Sequence, residues 1–184
     1  TRRQWRRRGG KVNYTADEAS TAMADVVFSL EDGTVGDDHA DALSQAIRGA
    51  LPWFDEEPDA GILPLSGLAK GNGVRFVGRR SRLALRLPLH RSDSACALSG
   101  TCLDLDGVGL TVGAGSLRRL FPARGVVYSH FVSVGTGDEL EFLDRCSSLL
   151  AERGLKPQLI TGKVRELRTA DGPIVGFSLM LHGL

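Results

Sequence analysis

The chain has 184 residues, of which 42% are hydrophobic and 24% charged, and its net charge is only +1. These proportions are ordinary for a globular protein and exclude a disordered tail, a collagen-like fibre and a disulfide-rich miniprotein. No uninterrupted apolar run approaches the roughly 20 residues of a membrane-spanning helix, so we expect no membrane partner.

Residues 1–22 differ from the rest of the chain. They are basic at first and then small and polar, with neither a helical nor a strand period and without the apolar segment of a secretory signal. We interpret them as a disordered N-terminal extension and take Met23 as the natural start, so that the preceding residues are upstream readthrough or an added sequence. A basic arm that binds nucleic acid is the alternative interpretation.

The first domain is predicted over residues 23–120. Its expected elements, in chain order, are a strand at 25–30, a helix at 40–51, strands at 61–65, 74–77 and 80–87, a helix at 92–98, and strands at 102–105 and 110–112. Asp37 and Asp38 offer N-caps for the first helix, Pro52 ends it, and Asp106-Gly107 is a strong hairpin turn. The order approximates the βαββαβ arrangement of a ferredoxin-like (RRM-like) α+β fold.

The segment from Arg80 to Leu87 has the clearest local pattern. Arg80, Arg82 and Arg86 alternate with leucines, so a strand here would carry arginine on one face and leucine on the other. Arginine makes up 19 of the 23 cationic residues of the chain, and its planar fork of donors matches phosphate. Residues two apart on a strand are roughly 6.7 Å apart, close to the phosphate spacing of an extended strand. We predict phosphate contact here; a solvated strand face is the alternative.

A second domain is predicted over residues 121–184, where the pattern restarts. The expected elements are a strand at 126–134, a helix from the capping box of Thr136 and Glu139 to Gly154, and strands at 158–168 and 174–182. The predicted apolar stripe of the helix consists of Leu140, Leu143, Cys146 and Leu150. A complete ferredoxin-like unit would add a helix and a strand, roughly 20 to 30 residues. We therefore expect this domain to be incomplete and the chain to be truncated at its C-terminus.

The three cysteines, Cys96, Cys102 and Cys146, support no special chemistry. Their number is odd and no CxxC pair is present, so neither a disulfide framework nor a thiolate zinc site is expected. Reduced thiols in a cytoplasmic protein, without a metal or a cofactor, are the simplest interpretation.

The sequence resembles a known family over residues 23–184. The resemblance is carried, in order, by HADALSQAIRGALPWFDEEP, RSRLALRLP, LSGTCLDLDGVGLTVG and GPIVGFSLMLHGL. The family is the CRISPR-associated repeat endoribonucleases, usually called Cas6, and the nearest branch is a subtype of the type I systems.

The resemblance implies tandem ferredoxin-like domains that bind the repeat of precursor CRISPR RNA and cut it once. The implied reaction is a metal-independent attack of a ribose 2′-OH on the adjacent phosphate, which leaves a 5′-hydroxyl and a 2′,3′-cyclic phosphate. The implied partners are CRISPR repeat RNA and a type I CRISPR effector complex.

Histidine is the residue type that suits the base and the acid of such a cleavage at neutral pH. His39 is the first candidate, because it is expected at the start of the first helix, where exposed backbone N–H groups attract phosphate. The resemblance also places the catalytic histidine of the family in or beside this helix. A surface histidine among three acids is the alternative. His130 and His182, in apolar strands of the second domain, are the alternates.

Four further cations are candidate RNA contacts: Arg118, Arg119, Lys163 and Arg165. Surface solubility is the competing interpretation for them. Aromatic residues make up only 6% of the chain, which favours contacts to the RNA backbone and hairpin shape over base stacking.

Two other functions stay open at this point. One is a non-catalytic RNA-binding subunit that retains guide RNA in a CRISPR effector complex, and the other is a ferredoxin-like module that senses a small molecule. The arginine strand distinguishes the RNA-binding functions from the sensor, and His39 distinguishes the enzyme from the non-catalytic subunit.

Overall fold

The structure of the protein is a computed structural model, which describes residues 22–66, 69–70, 74–120, 125–169 and 172–184. The chain divides into two compact units between residues 120 and 121. The N-terminal extension expected over residues 1–22 lies outside the described residues except for Ala22. The carbonyl oxygen of Ala22 accepts a hydrogen bond from the backbone N–H of Leu89 at 2.8 Å.

The first unit is built from eight described strands. They are β1 (Met23–Leu30), β2 (Gly33–Gly36), β3 (Gly61–Ser66), β4 (Ala69–Lys70), β5 (Val74–Val77), β6 (Arg82–Pro88), β7 (Cys102–Leu105) and β8 (Val108–Arg119). Five of them form an antiparallel sheet in the order β3-β6-β1-β8-β7. The order β3-β6-β1-β8 is that of the four strands of a ferredoxin-like unit, so the predicted fold is confirmed.

The described part of this unit has two α-helices, α1 (Ala40–Ala50) and α2 (Ser92–Ala95), and three short 3-10 helices, at Pro52–Glu56, Leu89–Arg91 and Cys96–Leu98. Helix α1 buries Leu43 and Ile47 in the same core as Phe28 of β1 and Leu85 of β6. Because successive side chains of a strand point to opposite sides of the sheet, the residues between these buried ones project from the other side. We call this other side the arginine face, and it carries Asp25, Arg82, Ala84, Arg86 and Arg118.

The structure corrects three details of this unit. Strand β8 continues to Arg119, far beyond the predicted end at residue 112, and it pairs with β1. The predicted strand at 74–77 pairs with β2 in a separate small sheet of order β2-β5-β4. Helix α1 has His39 as its N-cap, without a side-chain cap from Asp37 or Asp38. The hairpin turn is confirmed, since Asp106 and Gly107 both have positive φ.

The second unit contains β9 (Val126–Val132), α3 (Glu139–Glu152), β10 (Gln158–Thr169) and β11 (Gly172–His182). The strands form an antiparallel sheet of order β10-β11-β9, which is the arrangement of the first three strands of a ferredoxin-like unit. One face of the sheet packs on α3. The buried core of this unit consists of Phe142, Cys146, Phe177 and Leu179.

Helix α3 begins and packs differently from the prediction. Its N-cap is Asp138, whose Oδ1 accepts a hydrogen bond from the backbone N–H of Glu141 at 2.9 Å. Thr136 instead donates to the carboxylate of Glu141 at 2.5 Å. The side chain of Leu140, predicted to be apolar core, is 74% exposed, whereas Phe142 is fully buried. The helix therefore presents a face rotated from the predicted stripe, although Cys146 lies in the core as predicted.

Gly176 of β11 is a position where any side chain would disturb the second sheet. A Cβ added there would overlap the backbone carbonyl of Val132 and lie 2.7 Å from the ring of Phe131. We expect Gly176→Ala to lower the free energy of unfolding by about 1–3 kcal/mol, because β9 must shift away from β11. Denaturant unfolding measures this. Gly137→Ala is the control, since its Cβ would make only an ordinary contact, 3.5 Å from Val175; equal effects of the two substitutions would contradict the prediction.

Candidate active site and nucleic-acid interface

His39 lies where β2 leads into α1, and the structure fixes the orientation of its ring. The Nδ1 atom is 2.7 Å from the backbone carbonyl oxygen of Gly36. Because a carbonyl oxygen can only accept, Nδ1 carries the hydrogen of this bond, and in the neutral ring the lone pair is then on Nε2. The side chain is half-buried. The ring is therefore held with its basic nitrogen, Nε2, directed away from the hydrogen bond and able to accept a proton.

The acids around His39 are partly compensated by other residues. The carboxylate of Asp37 accepts a hydrogen bond from Nε of Arg75 at 3.0 Å, which pairs the charge of the two side chains. Asp41 accepts a hydrogen bond from Gln45 at 3.3 Å. Arg75 belongs to β5 and was not singled out by the sequence, because it is 38 residues from Asp37 and no local pattern connects the two.

The other three histidines belong to other elements of the fold. His90 is 3.1 Å from the carboxylate of Glu57. His130 is exposed on β9, with its ring edge-to-face with Tyr128 at a centroid distance of 4.9 Å. His182 of β11 is paired in register with Val126, four residues from His130. The alternates His130 and His182 thus share one sheet of the second unit without forming a pair.

The predicted row of three arginines is corrected by the structure. Strand β6 begins at Arg82, and Arg80 lies in the preceding turn. Arg82 uses Nη1 to donate to the carbonyl oxygens of Arg79, at 2.7 Å, and Ser81, at 2.6 Å, so its guanidinium closes this turn. The predicted alternation between the two faces of the strand is correct for the leucines of β6 and for Arg82 and Arg86. Arg80 precedes the strand and is not part of the row.

Arg86 belongs instead to a cluster that spans three neighbouring strands. Asp25 of β1 accepts hydrogen bonds from Arg86 of β6, at 2.9 Å from Nε to Oδ1 and 3.3 Å from Nη2 to Oδ2. Arg118 of β8 donates from Nη2 to Oδ2 of the same carboxylate at 3.0 Å. We call these three residues the Asp25 clamp. The Asp25 side chain has no solvent exposure, while Arg86 and Arg118 are 44% and 66% exposed.

The two arginines determine the charge state of Asp25. Burial raises the pKa of the Asp25 carboxyl, but the hydrogen bonds and positive charges of Arg86 and Arg118 outweigh burial and hold that pKa below its usual value. Asp25 is therefore ionised at neutral pH, and the clamp carries a net charge of one positive unit.

The remaining predicted cations are distributed over both units. Arg119 pairs in register with Ala24 and so lies on the sheet face opposite Arg118. Lys163 lies in the irregular part of β10, and Arg165 is paired in register with Gly176; both side chains are exposed. Arg119 therefore lies outside the Asp25 clamp, and Lys163 and Arg165 belong to the second unit.

The part of the chain that the structure describes holds neither a metal-ligating cluster nor a membrane-crossing helix. No group of three or more His, Cys, Asp or Glu side chains in these ranges is placed to hold a metal ion. None of the helices in the same ranges has both the length and the apolar character that crossing a bilayer would require.

Comparison with known proteins gives results that agree with each other. Residues 24–184 match the sequence model of a family described as Cas6 Crispr. The CRISPR-associated endonuclease Cas6 of Myxococcus xanthus (strain DK1622) is 32% identical over 167 residues, which are 88% of this chain and 70% of the relative. A solved structure titled CRISPR associated protein Cas6 has a similar fold, with a TM-score of 0.57 at 11% identity over 88% of each chain.

Proposed function

Because this chain belongs to the Cas6 family, we propose that it is an endoribonuclease that binds the repeat of precursor CRISPR RNA and cuts within it. The observation that carries the catalytic part of the proposal is the ring of His39. Its Nδ1 is held by the carbonyl of Gly36, which leaves Nε2 as a proton acceptor at the start of a helix. Its place beside α1 agrees with the position that the family resemblance implies for the catalytic histidine.

The proposed reaction is a transesterification within the RNA. Nε2 of His39 takes the proton of a ribose 2′-OH, and the 2′-oxygen attacks the adjacent phosphorus. The P–O bond to the 5′-oxygen of the next nucleotide breaks, and that oxygen takes up a proton to leave as a 5′-hydroxyl. The other product ends in a 2′,3′-cyclic phosphate. The attacking hydroxyl belongs to the substrate, so the step needs neither a water molecule nor a metal-bound hydroxide as nucleophile.

Binding is proposed to act mainly through the RNA backbone. Arg86 and Arg118 present guanidinium groups on the arginine face, and Lys163 and Arg165 present exposed cations in the second unit. Arginine forks and ammonium groups recognise phosphate oxygens independently of the base sequence. We propose that Arg80, Arg82 and Arg119 add further phosphate contacts, with Nη1 of Arg82 already engaged by the carbonyl oxygens of Arg79 and Ser81. A repeat RNA as substrate further implies a cytoplasmic protein that can remain with its product in a type I effector complex.

The products of the reaction provide the test. We expect purified protein to cut a repeat RNA at one position in EDTA, and to leave a 5′-hydroxyl and a cyclic phosphate that mass spectrometry identifies. A substrate with a 2′-deoxy sugar immediately before the cut should bind with unchanged affinity and stay intact, because it lacks the nucleophile. Cleavage that requires a divalent cation, or that cuts the 2′-deoxy substrate, would contradict this mechanism.

A non-catalytic subunit that retains guide RNA is the second candidate, and the Asp25 clamp is the observation that favours it. Two partly exposed guanidinium groups around a buried carboxylate form a feature suited to binding. The guanidinium groups cannot take up a proton, and the lowered pKa of Asp25 makes its carboxylate a weak base. Repeat RNA that is bound but stays intact under single-turnover conditions would support this function over the enzyme.

A further inference from the structure

We propose that Asp25 is a positioning residue that holds Arg86 and Arg118 together as one phosphate-binding site on the arginine face. The choice of RNA as the source of the phosphate rests on the proposed function. The site itself rests on the geometry of the three side chains.

The first part of the argument is the way the two guanidinium groups converge. Arg86 and Arg118 reach Asp25 from the two strands that flank β1, and the Nη2 atoms of both contact the same oxygen, Oδ2. The two groups are therefore held side by side, with their planes restrained by hydrogen bonds. An arginine that is already oriented loses less conformational entropy when it binds an anion.

The second part is the number of donors that remain. Arg118 uses only Nη2 towards Asp25, and Arg86 uses Nε and Nη2. Nη1 of both side chains, and Nε of Arg118, make no hydrogen bond to residues within the described ranges. The two side chains are 44% and 66% exposed, so a ligand of opposite charge can reach them.

The third part is the cost of the buried carboxylate. Asp25 has no solvent exposure. Burying an ionised group costs free energy even when the group is paired, and a role in positioning the two arginines compensates for this cost.

The positions around Asp25 on the same face are small or uncharged: Val27, Ala84 and Ser116. These residues offer no aromatic surface for base stacking, so the chemistry of the site matches a phosphate group and not a base.

The decisive experiment removes the carboxylate and keeps both arginines. If Asp25 acted only through its charge, Asp25→Asn would bind RNA more tightly, since a negative charge near the RNA is lost. The positioning role makes the opposite prediction. We expect Asp25→Asn to bind repeat RNA about tenfold more weakly at moderate salt, with the slope of log affinity against log salt reduced by about one.

Matched variants separate positioning from charge and from folding. Asp55→Asn removes a carboxylate that pairs with Arg48 at 2.7 Å on an exposed surface of the same unit, and it should bind RNA like the wild type or slightly more tightly. Arg118→Lys keeps the charge but not the planar fork, and it should weaken binding about as much as Asp25→Asn. Thermal unfolding of each variant verifies the fold, and Arg118→Lys carries the test if Asp25→Asn does not fold.

Two RNA probes distinguish failure of this inference from failure of the proposed function. Binding is measured with the repeat RNA and with a single-stranded oligouridylate by fluorescence anisotropy. Wild-type affinity of both Asp25→Asn and Arg118→Lys for both probes would overturn the clamp, even if the wild-type protein cuts the repeat. Loss of oligouridylate binding in these variants would support the clamp, even if the wild-type protein does not cut the repeat.

Discussion

Single-turnover cleavage of repeat RNA by His39→Ala is expected to be slower than that of the wild type by roughly 10²- to 10⁴-fold, the contribution of a positioned acid or base. Binding of the repeat should change by no more than a few-fold, because the imidazole acts on a proton and makes few contacts with the backbone. The measurement is a single-turnover time course with enzyme in excess, together with an affinity measurement on the 2′-deoxy substrate.

Two control variants make this result specific for Nε2. In His39→Asn, the side-chain amide N–H can still donate to the carbonyl of Gly36, but no nitrogen takes the place of Nε2. We expect this variant to be as slow as His39→Ala and as stable as the wild type. His90→Ala removes a ring that contacts Glu57 and should cut at the wild-type rate. A His39→Ala variant that cuts at the wild-type rate would exclude His39 as the base and make His130 and His182 the next residues to test.

Phe142→Ala is expected to lower the free energy of unfolding of the second unit by about 3–5 kcal/mol. Phe142 is fully buried and its ring lies 4.7 Å from that of Phe177, centroid to centroid. The core of this unit has four buried hydrophobic side chains among the described residues, so the loss of one aromatic ring removes a large share of it. Denaturant unfolding combined with hydrogen exchange of the strands of this unit would measure the loss.

Leu140→Ala is the matched control for Phe142→Ala, since it lies on the same helix two residues earlier. Its side chain is 74% exposed, and truncation of an exposed side chain changes stability by no more than about 0.5 kcal/mol. Comparable losses in the two variants would mean that α3 packs through the predicted stripe and not through the face seen in the structure.

The elements of the fold were predictable where a local pattern repeats. The leucines of β6 alternate because successive side chains of a strand point to opposite faces, and the buried Leu83, Leu85 and Leu87 confirm this. The turn at Asp106-Gly107 follows from the positive φ that a two-residue hairpin requires. These features depend on neighbours within a few residues, so the sequence is sufficient to predict them.

The start of a helix and its buried face were predicted less well. Thr136 and Asp138 are both good N-caps, and the choice between them depends on how the helix packs against the sheet. Leu140 and Phe142 are both apolar, and the sheet of the second unit selects Phe142. The two side chains lie about 200° apart around the helix axis, so the rotation of the helix about its axis decides which of them is buried. Packing against the sheet sets this rotation, and the periodicity of the helix alone does not contain it.

The sequence by itself determined the family, the ferredoxin-like order of elements and the candidate His39. The tertiary structure alone decided the surroundings of the charged residues. Asp25 is 61 residues from Arg86 and 93 residues from Arg118, and the three meet because β6 and β8 both pair with β1. The sequence between Arg75 and Asp93 contains no acidic residue, but in the sheet Asp25 of the neighbouring strand β1 lies beside Arg86. Which strands lie next to one another depends on how the whole core is buried. The alternation of side chains along one strand is a property of the backbone. For that reason the sequence predicts the alternation but not the neighbouring strands.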